Sequence, residues 1–394
     1  TDRVVELYGM EQASKLLSFS PPSNVGEAVL PFLVIVGMQW LFQMNSDGTG
    51  YLAQRSMACP TDREARIAGL VFTWLQILVR SLFWLAISIG LLVLYPFSPA
   101  EAGADGFTAA REALFVTGID ELMPPGLRGL MLVGLLAALA STVATHLNWG
   151  ASYWSNDVYR AVVAPKLLKR EAKDKELVLV ARISNVVILL IAMVIMANLG
   201  SIQTAWFISL LFGAGMGAVL VLRWLWERIN LYSELAAMLV SLILAPVLLY
   251  YFGTDPGEEW IRLGLMSLIT CAAAVLITFV TPRTDDATLQ HFYRKVRPFG
   301  FWGRTAALCG DQGRARGAFG SRVLAVVVTA VSLYSLLVGI GRLAFPPPEG
   351  GEWLSWLSLG VGLVLSPVWL RMALSDRFEQ RPDPAPGVVE AEHH

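Results

Sequence analysis

Nine separate runs of roughly 20 mostly apolar residues constrain this chain more than any other feature, because that length matches the hydrocarbon thickness of a bilayer. They lie at about 28–45, 67–95, 127–148, 178–199, 202–222, 231–252, 260–281, 322–341 and 354–371. Hydrophobic residues make up 55% of the chain and charged ones only 15%, with a mean hydropathy of +0.56, which excludes an ordinary soluble domain. Inside a bilayer each backbone polar group must be paired within its own segment, so spans of this kind are helices. An all-α integral membrane protein is expected.

Net charge, at −1, says little, but its distribution says more. Short loops rich in Lys and Arg stay cytoplasmic. If the first span runs outside to inside, the loops 46–66, 151–177, 223–230 and 282–319 and the tail after 370 carry 21 basic residues, against 4 on the other side. That split predicts an external start and a cytoplasmic carboxyl terminus. Cys59, Cys271 and Cys309 are too few and too scattered for a disulfide framework. No nucleophile, metal cluster or carboxylate pair occurs at one depth, so an enzyme is not expected, nor is any cofactor or nucleic-acid partner.

The most informative stretch is Leu135 to Arg160. It starts as lipid-compatible helix, sets the hydroxyls of Ser141 and Thr142 at membrane depth, and ends in a polar run. Ala138 lies one helical turn earlier, so its carbonyl and the two hydroxyls share one face. Converging neutral oxygens suit a small hard cation, although three are too few to complete its shell. The same spacing also suits hydroxyls that bond back to a carbonyl one turn earlier or hold neighbouring helices together. Spacing alone leaves both open.

Ala137-Ala138-Leu139-Ala140-Ser141-Thr142, followed by Asn156-Asp157-Val158-Tyr159-Arg160, resembles the eighth core helix of the sodium:solute symporter family. Gln54-Arg55, Ala58 and Glu64-Ala65-Arg66 resemble the loop after its sixth core helix, and residues 223–230 and 291–303 extend the likeness over nearly the whole chain. The resemblance implies sodium as coupling ion, with Ala138, Ser141 and Thr142 among its ligands. It also implies the second repeat of a five-plus-five inverted-repeat symporter core plus four accessory transmembrane helices. In that frame 1–26 is an external amphipathic segment, 27–228 holds core helices six to ten, and 229–281 holds two accessory spans. A cytoplasmic interfacial loop (282–319), two more accessory spans (320–372) and a cytoplasmic tail (373–394) complete it. The chain is then expected to be the carboxyl-terminal two-thirds of a bacterial inner-membrane protein, its partners being a small solute, sodium, the lipid bilayer and the missing amino-terminal helices.

Several positions are candidates for the solute site or its gate. The first span breaks at Gln43 to Gly50, a polar and glycine-rich run that includes Asn45 and Thr49, and such breaks hold substrate and ions in secondary transporters. The alternative is a helix that simply ends there. Sugar-carrying members have Asn-Gln-Tyr where this chain has Thr49-Gly50-Tyr51, so only the tyrosine, a candidate inner gate, is kept. Ser209 stands where those members carry a substrate-binding glutamine. Gln76 and Arg80, one turn apart in a long apolar run, are candidates for a substrate-contacting cation or for a structural ion pair with Asp47 or with a segment outside this chain. A small organic acid or zwitterion is therefore expected over a neutral hexose.

Other stretches carry structural expectations. Residues 96–126 read as an external lid with a helical stretch near 108–114, Lys166 to Lys175 as a solvated helix, His146 as a hydrogen-bonded structural group, and Gly213 to Gly217 as a close helix contact. The aromatics and cations of 291–303 are those of a segment lying on an anionic inner leaflet. A substrate-sensing domain without transport is the other functional class this pattern fits, but only a short tail after Arg371 is available for signalling.

Overall fold

A computed structural model describes residues 1–18, 30–31, 34–35, 51–102, 104–253, 256–311 and 314–374. Nearly all of them that are not in connecting loops are helical, and the one β-bridge among them pairs Trp226 with Phe301. Eight helices are long and apolar enough to cross a membrane, each coinciding with an expected span. The ninth, 28–45, falls almost wholly outside the described residues. The protein is thus a multi-pass membrane protein, and its chain divides into two compact units, Phe97–Trp206 and the remainder.

In the larger unit, α1 (Asp2–Leu16) buries Val4 and Ala13, together with Leu17, against Ile89. Ile89 belongs to α3 (Asp62–Leu94), which follows the short α2 (Tyr51–Met57). Thr61 caps α3 by accepting from the Glu64 amide at 3.2 Å, satisfying one of the donors a helix start leaves open. Over Leu75–Val79 the helix widens to a π turn and then resumes. The core of the unit lies among α7 (Ile202–Leu225), α8 (Leu231–Phe252) and α9 (Glu259–Val280), where Leu210, Leu211, Ala214, Ala245, Leu248, Leu263 and Met266 interlock. Gly213, Gly215 and Gly217 of α7 are buried, and a Cβ at Gly215 would overlap Ser241 of α8. The expected close helix contact is therefore present.

A platform follows α9. It consists of α10 (Asp286–Val296) and α11 (Gly303–Leu308), and it precedes the hairpin of α12 (Arg314–Ala344) and α13 (Glu352–Leu374). The hairpin is locked by a buried polar cluster: the Ser332 hydroxyl donates to the Gly362 carbonyl at 2.8 Å and accepts from Trp369 Nε1 at 3.0 Å. In lipid such pairs hold helices together where hydrophobicity cannot discriminate.

The smaller unit contains α4 (Phe107–Leu122), α5 (Pro125–Leu167), α6 (Asp174–Ala197) and the first turn of α7. Helix α4 is longer than the helical stretch expected near 108–114. Helix α5 also outruns its expected span: from Tyr153 it continues as π-helix to Leu167, so the polar run through Arg160 is helical rather than loop. Lys166 to Lys175 corrects the expectation of a solvated helix. Helix α5 ends at Leu167, Lys169 turns into the left-handed region at φ 50°, and Arg170 reaches Glu176 at 2.8 Å across the turn into α6. The run is made of good helix formers, so it is the tertiary turn, with its left-handed Lys169 and the Arg170–Glu176 pair, that overrides local propensity.

Candidate functional site

Ala138, Ser141 and Thr142 lie mid-way along α5 on an exposed face. The Thr142 hydroxyl donates to the Ala138 carbonyl at 2.9 Å, Thr145 Oγ1 donates to the Ser141 carbonyl at 2.8 Å, and His146 Nδ1 stands 2.9 Å from the Thr142 carbonyl. A carbonyl can only accept, so that ring nitrogen carries the proton. Two of the three predicted ligands are thus in contact. The Ser141 hydroxyl makes no hydrogen bond among the described residues.

Chemically, the arrangement permits both uses anticipated for it. A hydroxyl that donates to a carbonyl still has lone pairs for a cation. A cation reaching the Ala138 carbonyl as well would exchange that 2.9 Å bond for two ion contacts. None of the residues in the apolar stretch of α5 is buried, so among the described residues nothing covers this oxygen-bearing face.

Gln76 lies within the π turn of α3 and Arg80 directly after it. With the Gln76 amide turned so that its oxygen faces the guanidinium, that oxygen accepts from both Arg80 Nη atoms, at 2.6 and 3.0 Å. A guanidinium has five N–H donors, and the Nε edge, which fits a carboxylate, makes no hydrogen bond among the described residues. Arg80 is exposed in an otherwise apolar run, a costly position unless water or a partner meets it. Ser209 is on an exposed part of α7, one turn before Gly213. Asn45, Thr49 and Asp47 lie outside the described residues; Tyr51 begins α2, and its side chain is likewise outside them.

Two features here had no signal in the sequence. One is the π turn, since no residue pattern in Leu75–Val79 distinguishes it from ordinary helix. The other is Glu112 of α4. Its carboxylate accepts from the Ile202 and Gln203 amides at 2.8 and 2.9 Å, while Ser201 Oγ takes the Thr204 amide at 3.0 Å. Three of the donors left open at the start of α7 are thereby satisfied, and Ala205 makes the first bond of the helix ladder to the Ser201 carbonyl at 3.3 Å. Among the described residues no group of three or more His, Cys, Asp or Glu side chains is placed to hold a metal ion.

Comparison with known proteins adds a third line. The sequence model of the sodium:solute symporter family matches residues 13–241. The osmoregulated proline transporter of Bacillus subtilis (strain 168) is 30% identical over 46% of this chain and 36% of its own length. The sodium/proline symporter of Escherichia coli (strain K12) is 30% identical over 49% of this chain and 38% of its own. The sodium/glucose cotransporter of Vibrio parahaemolyticus is 28% identical over 64% and 47%. The chain thus matches about a third to a half of the length of these relatives. No solved structure matches at a significant level.

Proposed function

Because the chain belongs to the sodium:solute symporter family, we propose that it forms the second repeat of a five-plus-five inverted-repeat core with four accessory helices, and acts within a sodium-coupled symporter of a small organic solute. The observation that carries this reading is the trio on α5: Ala138 carbonyl, Ser141 hydroxyl and Thr142 hydroxyl on one uncovered face, two of them already within 2.9 Å. Sodium held there would take its remaining oxygens from other helices of the intact protein. Transport would follow alternating access, sodium favouring the outward-open state in which solute binds. The excess of basic residues on one set of loops supports an external start and a cytoplasmic carboxyl terminus in a bacterial inner membrane.

For the solute, a zwitterion or organic acid fits better than a hexose. Two of the relatives named above are proline carriers and one a glucose carrier, at nearly equal identity, so likeness does not separate them. Arg80 supports the acid: its Nε edge, without a hydrogen bond among the described residues, suits a carboxylate, a group that a neutral sugar lacks.

The test is a sodium titration of solute uptake by the full-length protein carrying Ser141→Ala or Thr142→Ala, normalised to folded protein. Each lost oxygen is expected to cost about 1.5 to 3 kcal/mol, by analogy with hydrogen bonds to charged groups. That is roughly a tenfold to hundredfold rise in half-saturating sodium. Apparent solute affinity should fall with it and recover at high sodium, as linkage demands. Half-saturating sodium within about twofold of wild type in both variants would assign the hydroxyls to helix packing instead.

A further inference from the structure

The platform after α9 combines rigid attachment with a set of cations that make no ion pair among the described residues. It is fastened to the turn between α7 and α8 at several points. The Phe301 amide donates to the Leu225 carbonyl at 2.6 Å, Trp302 Nε1 to the Trp224 carbonyl at 2.8 Å, and the Thr305 amide to the buried Glu227 carboxylate at 2.9 Å. Gly300, at φ 106°, lets the chain pass within reach of the Leu225 carbonyl, where a Cβ would stand 2.6 Å from that oxygen. On the α9 side, Asn230 Nδ2 donates to Thr281 Oγ1 and to the Pro282 carbonyl at 2.9 and 3.2 Å. The platform is therefore held at the level where α7 and α9 end and α8 begins.

That level is a membrane boundary. Leu231 and Tyr232 at the start of α8, and Phe279 and Val280 at the end of α9, are all more than half exposed. Beyond them comes charge. At the other end of the same helices the exposed large side chains are Tyr250 and Tyr251, with Trp353 and Trp356 at the start of α13. Aromatics with exposed carboxylates, Glu258 and Glu352, therefore mark one end and a basic platform the other.

The structure also changes how the platform can meet lipid. The sequence pattern of 291–303 fits a segment resting its aromatics on the bilayer. Instead Tyr293 and Trp302 are buried with Leu289 and Ala306 in a core of their own, and Phe292 stacks on Trp302 at 5.5 Å. Most of the apolar face of α10 is covered, and only isolated side chains, Val296 and Phe301, are left exposed, too little apolar surface for the helix to lie inserted in hydrocarbon. Left outside are His291, Arg294 and Lys295, which share one helical face, with Arg297 just beyond it. The carboxylates nearby are already engaged: Asp285 caps α10, Asp286 pairs with Arg304 at 2.9 Å, Glu227 meets Arg283 at 3.6 Å, and Asp311 accepts from the Tyr293 hydroxyl. Arg294, Lys295 and Arg297 have no acidic partner among the described residues.

We propose that Arg294, Lys295 and Arg297 form a docking surface for anionic phospholipid headgroups of the adjacent leaflet, engaged by charge and without insertion, and that lipid binding there steadies the α7–α8 turn. The carboxyl-terminal end of a helix favours cations through the macrodipole, which accounts for the tolerance of Arg294 and Lys295 in the last turn of α10. It does not account for three of them clustered without an ion pair among the described residues, close enough to act together within a screening length of about 8 Å at physiological salt. The inference is independent of sodium coupling.

The experiment is hydrogen exchange of the full-length protein in nanodiscs of phosphatidylcholine alone or mixed with phosphatidylglycerol. Each basic residue near an anionic surface strengthens association about fivefold. Amides of 285–311 and 224–230 are expected to exchange at least about fivefold more slowly with phosphatidylglycerol, the difference vanishing at high salt. Arg294→Gln/Lys295→Gln/Arg297→Gln should abolish it while leaving exchange in phosphatidylcholine unchanged, and Arg294→Lys/Arg297→Lys should retain it. Equal exchange in both lipids would overturn the proposal. So would equal protection by soluble inorganic polyphosphate in phosphatidylcholine discs, which would assign the surface to a soluble polyanion.

Discussion

Helices α5 and α6 of the smaller unit and helices α7, α8 and α9 are built from the same apolar residues, and all five qualify as membrane spans. Their burial differs sharply. In the apolar stretches of α5 and α6 no residue is buried, whereas in α7 half are. The contrast extends to small residues. Gly215 of α7 is filled by Ser241, while Gly129 and Gly134 of α5 have nothing within 4 Å of where a Cβ would stand. Apolar character brings a helix into the bilayer, but it does not choose a neighbour, because lipid tails are as apolar as leucine. Notches and polar pairs choose neighbours. On α5 those features, Ser141 and Thr142 among them, stand uncovered, as the proposed sodium site requires if its other walls come from further helices.

The widest separation between the two regions should appear on truncating large side chains. Met266 is fully buried, and Met266→Ala is expected to cost about 2 to 5 kcal/mol. Leu136 of α5 is 63% exposed, and Leu136→Ala in the 394-residue chain is expected to stay within about 0.5 kcal/mol. Reversible unfolding in mixed micelles measures both. Equal losses would mean that α5 is covered within this chain, and the comparison would fail. A Leu136→Ala cost that rises in the full-length protein would sharpen it.

Filling the notches should give a smaller difference of the same sign. Gly215→Val forces α7 and α8 apart at Ser241, an overpacking cost of about 1 to 3 kcal/mol. Gly134→Ala meets open space in mid-helix and is expected to stabilise by about 0.5 to 1 kcal/mol. A destabilising Gly134→Ala would reveal a close contact on that face.

Glu112 tests how the smaller unit is held where apolar packing is thin. Glu112→Gln replaces a carboxylate bound to two amides by a neutral group, an expected loss of about 1.5 kcal/mol. The specific readout is faster hydrogen exchange at Ile202 and Gln203, with the core amides of α7 near Leu211 unchanged. If the first two amides keep their rate, the carboxylate is not their cap.

The smallest effect concerns the platform. Burial, reinforced by the charge of Asp311, raises the Tyr293 hydroxyl to about 12 from an ordinary value near 10. Its protonated form is the one the folded state favours. That contribution is fully present below pH 10 and is lost as pH rises towards 12. Exchange of 285–311 should therefore be flat with pH, after correction for intrinsic rate, up to about 10 and accelerate above it. Tyr293→Phe should remove the acceleration. A core amide near Met266, in the same unit, should show none.

Much of this was legible in advance, and what was not has a common cause. The spans could be read because the bilayer forces each segment to satisfy its own backbone, so length and apolarity settle the matter locally. The pairing of Thr142 with Ala138 could be read because one helical turn brings them together whatever surrounds them. Family membership was legible for the same reason, resting on contiguous motifs. What required the tertiary structure is everything decided by a second surface. Whether the aromatics of 291–303 meet lipid or one another depended on Trp302 folding back under Tyr293. Whether Lys166 to Lys175 is helix depended on Arg170 finding Glu176 across a turn. Which of two equally apolar helices is buried depended on whether a small residue met a side chain shaped to fill it, as Gly215 meets Ser241. Local periodicity states which face of a helix differs from the rest; only the partner determines what that face is for.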